Sequence, residues 1–391
     1  MAPERIITRN EPEWSEARSA AASIASVLQT ELISLELCTD RTLASDLISL
    51  VDLPTYETSA MDGYAVAGAG PWKIVGDVKA GAPMTQPLTP GTAVRIATGA
   101  VVPIGTFGIL RWESATIVDE VLEGELIAAE HIRPAGLECR KGEVIASAGT
   151  VLSPAWIGFL AAAGFDALEV VRKPRIEILL FGDEIQLQGI PADGLVRDSL
   201  GPQIPAWLSR MGAEVVAMNY VTDEITLVIA AIAQACLRAD VVITTGGTAA
   251  GPRDHLHGAL EALGGVLVVD RVKVRPGHPM LLAKIENVPL LGLPGNPQSA
   301  IVALMTLGQP LFHALLGRST EVLDSIKTKK EIKIPEGFTR LVLGNVRGEF
   351  FEESDYLGSA MLRGLAQSSG FAVAASGNGE AGSTVLWLPL P

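Results

Sequence analysis

Between Pro174 and Gly317 the sequence alternates short apolar runs with amphipathic segments, and this alternation constrains the fold most strongly. It predicts strands at residues 175–181, 213–218, 240–245, 266–270 and 288–293, and helices at 199–211, 223–237, 254–263 and 297–316. Runs such as Val241-Val242-Ile243 have no polar face, which is typical of strands buried between two layers of helices. We therefore expect a doubly wound αβα domain with a parallel sheet.

The rest of the chain has a different pattern. Residues 12–29 are predicted to form an amphipathic helix, and residues 154–163 another, while residues 45–135 contain short β-rich runs interrupted by Gly and Pro. Residues 319–333 are polar and are predicted to be a linker. The short strands predicted after them indicate a small C-terminal β-barrel. A chain of 391 residues is too long for one hydrophobic core, so several domains are expected.

Charge and cysteine content limit the partners and the compartment. The net charge of −14 argues against nucleic acid or an anionic membrane as the main partner, although a local cluster of donors could still bind an anion. The longest apolar stretch, residues 225–237, is too short to span a bilayer. The three cysteines lie far apart, which favours a reducing, cytoplasmic compartment.

Three loops follow strands of the predicted αβα domain, at the edge where such sheets bind ligands. In the first, Gly182-Asp183-Glu184, the carboxylates could hold Mg²⁺ or could simply be solvated. The second, Gly246 to Asp254, suits a phosphate cradle at a helix start, but equally an ordinary turn that Asp254 caps. In the third, Pro294-Gly295-Asn296-Pro297, Asn296 is expected to cap a helix that begins at Pro297.

A basic segment follows the strand predicted at residues 266–270. If it is extended, Arg271, Lys273 and Arg275 lie on one face at a period of two. Three aligned cations in an acidic protein form a candidate phosphate or oxyanion clamp, with His278 beside it. The alternative is a solvated strand edge that deters aggregation.

Six motifs occur in order along the chain: Ser59-Ala60-Met61-Asp62-Gly63-Tyr64-Ala65, Thr98-Gly99-Ala100 with Pro103 and Gly105, Gly182-Asp183-Glu184, Thr245-Gly246-Gly247 with Gly251 and Asp254, Arg275-Pro276-Gly277-His278-Pro279 and Leu293-Pro294-Gly295-Asn296-Pro297. In this order they resemble the motifs of the molybdopterin molybdotransferase family, the enzymes that insert molybdenum into molybdopterin. Each motif is weak alone, but together they extend over essentially the whole chain.

The resemblance implies an α/β multidomain homodimer that inserts molybdate into adenylylated molybdopterin, with Mg²⁺ assistance and release of AMP. The expected domains are a dimerisation domain (residues 1–50 and 135–173), a β-rich domain (51–134), an αβα molybdopterin-binding domain (174–318) and a C-terminal β-barrel (319–391). Other cofactor-synthesis proteins or molybdoenzymes would be further partners.

The resemblance also implies roles for individual residues. Asp62, Glu184 and Asp254 would be the catalytic carboxylates, with Glu184 and Asp254 as Mg²⁺ ligands. Asp62 and Thr98 are expected to reach the cleft from the other subunit. Substrate would be bound by Thr98, Asp198, Ser199, Asp223, Gly246, Gly247, Gly251, Arg275, His278, Pro294, Gly295, Asn296, Pro297, Arg340 and Ser359.

Several positions depart from the family pattern. Leu180-Phe181 replaces a Ser-Thr pair, and Leu200 replaces an asparagine, so polar contacts are lost. His278 stands where the family has lysine, which makes the charge there depend on pH. The retained carboxylates favour a molybdenum-inserting transferase. The altered loops at residues 106–108 and 180–181 favour a non-catalytic protein that binds or delivers the cofactor. An adenylyltransferase acting on molybdopterin is a third hypothesis, which the attached domains disfavour.

Overall fold

The structure is a computed structural model that describes residues 9–248, 255–319 and 322–391. The chain divides into two compact units, each described here by itself. The first, the αβα–barrel unit, comprises Met1–Glu31, Asp40–Ala44 and Val170–Pro391. The second, the β-rich unit, comprises Leu32–Thr39 and Ser45–Glu169.

A seven-stranded sheet forms the centre of the αβα–barrel unit. In spatial order its strands are Arg9–Asn10, Val266–Asp270, Leu281–Ile285, Val288–Leu293, Val241–Thr245, Arg175–Phe181 and Glu214–Val221. The last four are mutually parallel, but Leu281–Ile285 is antiparallel to both of its neighbours. The sheet is therefore mixed rather than parallel as predicted. The strand Leu281–Ile285 was not predicted from the sequence. A tight turn with Glu286 at φ 53°, rather than a helix, joins this strand to the next one.

Helices cover both faces of this sheet, as predicted. They are Trp14–Ser23, Leu200–Arg210, Ile225–Cys236, Leu256–Ala262 and a run from Pro297 to Leu315 with a π-helical turn at Leu304–Gly308. Alternate residues of the strand Arg175–Phe181 enter separate apolar clusters on the two faces, as a doubly covered strand requires. The first helix ends at Ser23, not at residue 29, and beyond it the Leu28 amide donates to the Leu315 carbonyl oxygen.

The strand order creates a topological switch point. From Arg175–Phe181 the chain passes to the edge strand Glu214–Val221 on one side and then crosses to Val241–Thr245 on the other. The switch point therefore lies between Arg175–Phe181 and Val241–Thr245, at their carboxyl ends. Sheets of this type bind ligands at that position.

The C-terminal region contains the predicted β-barrel. Its five strands close into a ring because the longest one pairs with strands on both sides, and they are Ser325–Thr328, Thr339–Arg347, Phe350–Glu353, Gly370–Ala374 and Thr384–Pro389. The short strand Val274–Arg275 joins this barrel, and a short helix spans Arg363–Gln367. The predicted linker at 319–333 is wrong in part, since Ser325–Thr328 is a strand with Ile326 and Thr328 buried.

The β-rich unit is built on a six-stranded sheet. In spatial order its strands are Thr116–Val118, Val121–Glu123, Trp72–Val78, Thr92–Ile96, Gly63–Val66 and Gly108–Arg111. Thr58–Ser59 pairs with Ile132–Arg133, and Leu47–Ile48 pairs with Val144–Ala146. The β-rich unit also contains the helix Pro154–Ala162 and single turns at Leu35–Leu37 and Trp112–Ser114. The short strands Thr42–Leu43, Ile185–Gln186 and Val196–Arg197 belong to the αβα–barrel unit, whereas the residues of Thr30–Ser34 and Ala167–Val171 are divided between the two units. None of the helices in the described ranges has the length and apolar character needed to cross a membrane.

Candidate functional site

The loops that follow three neighbouring parallel strands meet at Gly246. Its amide donates to the Leu293 carbonyl oxygen at 2.8 Å, and a Cβ here would lie 3.2 Å from the Phe181 carbonyl oxygen. Gly246 and Gly247 have φ values of 82° and 67°, which glycine adopts without a side-chain penalty. The predicted site residues Gly251 and Asp254 of this loop lie outside the described residues.

Three carboxylates occupy the loops that follow Phe181 and Val221. The backbone amides of Asp183 and Asp223 each donate to the other's carboxylate, at 3.3 and 3.1 Å, and Glu184 is exposed beside them. Burial, and then the charges of Asp183 and Glu184, raise the pKa of Asp223. This excess of negative charge suits a hard cation, which prefers oxygen ligands. Within the described ranges no three ligating side chains converge on one metal position, so a cation here would need further oxygens.

Asp198 lies two residues before the helix Leu200–Arg210. Its Oδ1 accepts hydrogen bonds from the first two amides of that helix at 2.9 and 3.0 Å, which is capping geometry. A Cβ at Gly201 would lie 2.2 Å from Asp198 Oδ2, so this contact requires glycine. Ser199 lies on the rim of a groove of about 420 Å³, whose apolar lining includes Trp207. Asp198 therefore has a structural role in addition to any contact with substrate.

The start of the helix at Pro297 is a meeting point for two further segments. Asn296 occupies the N-cap position as expected, but its exposed side chain makes no capping hydrogen bond, so that part of the prediction is wrong. The Gln298 amide donates to the Ser359 carbonyl oxygen at 3.0 Å. A Cβ at Gly277 would lie 3.2 Å from the Ser299 carbonyl oxygen, so the turn that carries Arg275 and His278 also packs here.

The prediction that Arg271, Lys273 and Arg275 share one extended face is wrong. Arg271 has φ 57°, so the strand Val266–Asp270 ends before it. Arg271 Nε lies 3.6 Å from the Glu11 carboxylate, and Lys273 Nζ lies 2.9 Å from that of Glu13. Acids of the N-terminal segment therefore neutralise two of the three cations.

Arg275 forms a second cationic group with Arg340. The two residues are register partners in the parallel pairing of Val274–Arg275 with the barrel, so their side chains leave the same side of the sheet. The Arg275 guanidinium lies 4.7 Å from the centre of the Phe338 ring, and the His278 ring packs against that same phenyl group at 5.6 Å. Two arginines at paired positions of neighbouring strands give this side of the sheet a positive potential that attracts an anion.

His278 differs from these arginines because its charge is conditional. Its Nε2 lies 3.4 Å from the Glu11 carboxylate. Burial lowers the pKa of His278, the charges of Arg275 and Arg271 lower it further, and Glu11 opposes them. The imidazole is therefore neutral at pH 7 in the free protein.

In the β-rich unit, Asp62 and Thr98 lie together on exposed loops. Asp62 Oδ1 accepts the Thr98 amide at 2.7 Å and the Thr98 hydroxyl at 3.0 Å. These bonds, the amide first, lower the pKa of Asp62, so its carboxylate stays ionised. Gly63 has no room for a side chain, since a Cβ would lie 2.1 Å from the Leu110 carbonyl oxygen. This close approach fixes the strand that follows Asp62.

Known proteins share both parts of this chain. Residues 13–164 match the family model of the MoeA N-terminal region (domain I and II), and residues 177–314 match that of a probable molybdopterin binding domain. The chain is 30% identical over 379 residues to the molybdopterin molybdenumtransferase of Haemophilus influenzae, covering 91% of this chain and 93% of that protein. The chain belongs to the molybdopterin molybdenumtransferase family.

Further family members are similar over much of their length. The molybdopterin molybdenumtransferase of Bacillus subtilis is 28% identical over 333 residues, which is 80% of this chain and 77% of that protein. Two structures of molybdopterin biosynthesis MoeA proteins from Pyrococcus horikoshii superpose with TM-scores of 0.79 and 0.83, at 23% and 19% identity, over 97% of this chain and 99% and 100% of theirs. At such identities the likeness supports the fold, and it agrees with the expected α/β multidomain architecture.

Family membership confirms the resemblance, whereas the roles of single residues stay predictions. The structure groups Glu184, Asp223, Gly246, Gly247 and Pro294 at the edge around the switch point. It gathers Arg275, His278 and Ser359 around the start of the helix at Pro297, with Arg340 next to Arg275.

Two residues that contact predicted site residues or their loops, Tyr220 and Phe338, were not predicted from the sequence. Phe338 contacts both Arg275 and His278, and the Tyr220 hydroxyl donates to the Gly182 carbonyl oxygen at 3.0 Å. Tyr220 could have been found from the sequence, because Val216, Met218 and Tyr220 occupy alternate positions and so lie on one face of the strand.

Proposed function

We propose that this protein inserts molybdate into adenylylated molybdopterin with release of AMP, as a molybdopterin molybdenumtransferase. The observation that carries the proposal is the chain of contacts joining its cationic and acidic groups. The Arg275 turn packs on the helix that begins at Pro297, and the loop before that helix follows Leu293. The Leu293 carbonyl oxygen accepts from the Gly246 amide, and Gly246 lies against Phe181, the residue before the acidic loop. Relatives with this name, at 24–30% identity, support it.

The chemistry needs charge neutralisation and alignment more than a covalent nucleophile. Arg275 and Arg340 would bind molybdate oxygens, since guanidinium groups suit oxyanions. Backbone amides of the loops at Gly246 and Gly295 would hold the phosphate of the pterin. Glu184 and Asp254 would hold Mg²⁺, which supplies neutralisation of phosphate oxygens when bound.

We further infer a homodimer in which Asp62 and Thr98 of one protomer complete the site of the other. The helix Pro154–Ala162 supports a dimer because it is strongly apolar, yet Leu160 is its one buried residue. Uncovered apolar surface of this kind is typical of interfaces. The inferred compartment is the cytoplasm, where the free thiols of Cys38, Cys139 and Cys236 would stay reduced.

The direct test measures AMP and molybdenum cofactor after incubation of the protein with adenylylated molybdopterin, molybdate and Mg²⁺. AMP release should depend on molybdate, and Asp62→Asn and Glu184→Gln should each abolish it without loss of folding. Glu349→Gln is the matched control, since Glu349 makes an exposed surface pair with Lys327. Wild-type rates in both site variants would contradict the assignment of these carboxylates.

The dimer can be tested by complementation. Co-expression of Asp62→Asn with Glu184→Gln chains should restore activity, because each mixed dimer contains one site in which both carboxylates are intact. Mixed dimers that stay inactive, isolated by two affinity tags, would show that both residues act within one protomer.

A carrier function is the second candidate. Phe181 is buried where the family has a hydroxyl, and His278 is neutral where the family has a lysine, so part of the family's polar site is missing. Tight binding of adenylylated molybdopterin without molybdate-dependent release of AMP would favour the carrier over the transferase.

A further inference from the structure

Tyr220, on the edge strand Glu214–Val221, contacts the loop that carries Asp183 and Glu184. Tyr220 donates its hydroxyl to the Gly182 carbonyl oxygen at 3.0 Å, and the Ile185 amide donates to the same oxygen at 3.1 Å. The second bond closes the turn that carries Asp183 and Glu184. The first bond ties that turn to a strand almost forty residues away in sequence.

Gly182 is the hinge of this turn. It has φ 132°, and a Cβ at this position would lie 2.9 Å from Glu184 Oε2, because the Glu184 side chain folds back over it. A rotation of the Gly182 peptide would therefore move the Glu184 carboxylate directly. Asp183, for its part, is held to Asp223 by the pair of hydrogen bonds between their loops.

We propose that Tyr220 is a positioning residue, whose hydroxyl fixes the Gly182 peptide and thereby places the Glu184 carboxylate for the reaction. This inference rests on the proposed transferase function. It assigns Tyr220 no contact with substrate. The two residues before Gly182, Leu180 and Phe181, are buried and have no hydroxyl, so the hydroxyl that secures this carbonyl comes from the neighbouring strand.

One observation separates this role from ordinary packing. Tyr220 is 36% exposed on an edge strand, so its ring contributes little to the core, and phenylalanine can replace it without a cavity. The substitution therefore removes the hydroxyl and leaves the ring in place.

The test uses the full-length protein and the Tyr220→Phe variant, with Met218→Leu as the matched control. Met218 lies two residues earlier on the same face of the strand and is 45% exposed. Turnover, KM for adenylylated molybdopterin, thermal midpoint and deuterium exchange of amides 183–185 are measured for each. Because misplacement of a catalytic group by about 1 Å can cost about 100-fold, a loss in kcat of at least tenfold is expected for Tyr220→Phe, with KM and thermal midpoint nearly unchanged.

A second comparison tests whether Tyr220 acts through Glu184. Glu184→Asp shortens the carboxylate instead of removing it, so it is used for this comparison. Adding Tyr220→Phe to Glu184→Asp should lower the rate by less than the product of the two single losses, because residues that act as a unit are non-additive. Unchanged kcat in Tyr220→Phe, a change in KM alone, or full additivity with Glu184→Asp would overturn the inference.

Failure of the proposed function has a different outcome. If the wild-type protein releases no AMP in response to molybdate, the transferase proposal is refuted. The exchange experiment then decides the structural half of the inference alone. Faster exchange at amides 183–185 in Tyr220→Phe, absent in Met218→Leu, would support it, and unchanged exchange would refute it.

Discussion

Replacing His278 with lysine is expected to remove the pH dependence of molybdate binding. In the wild-type protein, burial and then the charge of Arg275 hold the pKa of His278 below its ordinary value, so the free site favours a neutral imidazole. A dianion bound beside Arg275 and Arg340 would raise that pKa again. Binding would therefore take up one proton at His278, and affinity would fall as pH rises.

The size of the effect follows from proton linkage. Between the pKa values of the free and the anion-bound site, affinity should change by up to about tenfold per pH unit, which is about 1.4 kcal/mol. The window begins at the lowered pKa of the free site and ends at the higher pKa of the complex. Below both values the imidazole is charged in both states, and above both it is neutral, so affinity is flat on either side.

Calorimetric titration with molybdate alone measures this directly. Titrations in two buffers with different enthalpies of ionisation count the protons taken up, and a series between about pH 6 and 8.5 gives the slope. His278→Lys should bind with little pH dependence, whereas Arg340→Ala should bind weakly at every pH. Burial lowers the pKa of His313 to about 4, so that residue stays neutral throughout the series. Measurable wild-type binding with a flat pH profile would refute the reasoning.

Two further predictions concern stability. Gly63→Ala should lower the free energy of unfolding by about 2 kcal/mol or more, because its Cβ would lie 2.1 Å from the Leu110 carbonyl oxygen; Gly76→Ala is the control, since the nearest atom there is 4.0 Å away. Urea unfolding that ranks the two variants equally would contradict this. Glu177→Ala should cost about 2–3 kcal/mol, because the fully buried Glu177 carboxylate accepts from Asn219 at 3.0 Å and pairs with Arg238 at 2.7 Å. Glu177→Gln should cost less, and equal losses in urea would argue against a hydrogen-bonding role.

The elements that could be predicted from sequence are those whose burial is local and repetitive. Val241–Thr245 was identifiable because its apolar run lies between two segments with helical periodicity, and all five of its residues are buried in the structure. Leu281–Ile285 is equally apolar, but nothing within the segment distinguishes an antiparallel hairpin partner from a parallel strand. The segment after the first helix is non-helical where the Leu28 amide donates to the Leu315 carbonyl oxygen, a distant contact that no local pattern encodes.

The site shows the same division between local and distant causes. The turn at Gly182 and the helix start at Pro297 were predictable because glycine and proline fix backbone conformation locally. The role of Tyr220 was not, because its partner lies across a strand pair. The position of Arg271 was not predictable either, because this residue adopts a left-handed conformation at the end of a strand where an extended face had been predicted.

The N-terminal segment explains how a protein with a net charge of −14 retains a positive site. The two-residue strand Arg9–Asn10 pairs in register with Val269–Asp270, and this register brings Glu11 to Arg271 and Glu13 to Lys273. Within the described residues, neither acid forms an ion pair with Arg275, which lies beside Arg340 instead. Strand register therefore determines which cations are neutralised. Acids some 260 residues away in sequence neutralise Arg271 and Lys273, and the pair of Arg275 and Arg340 stays available to an anion.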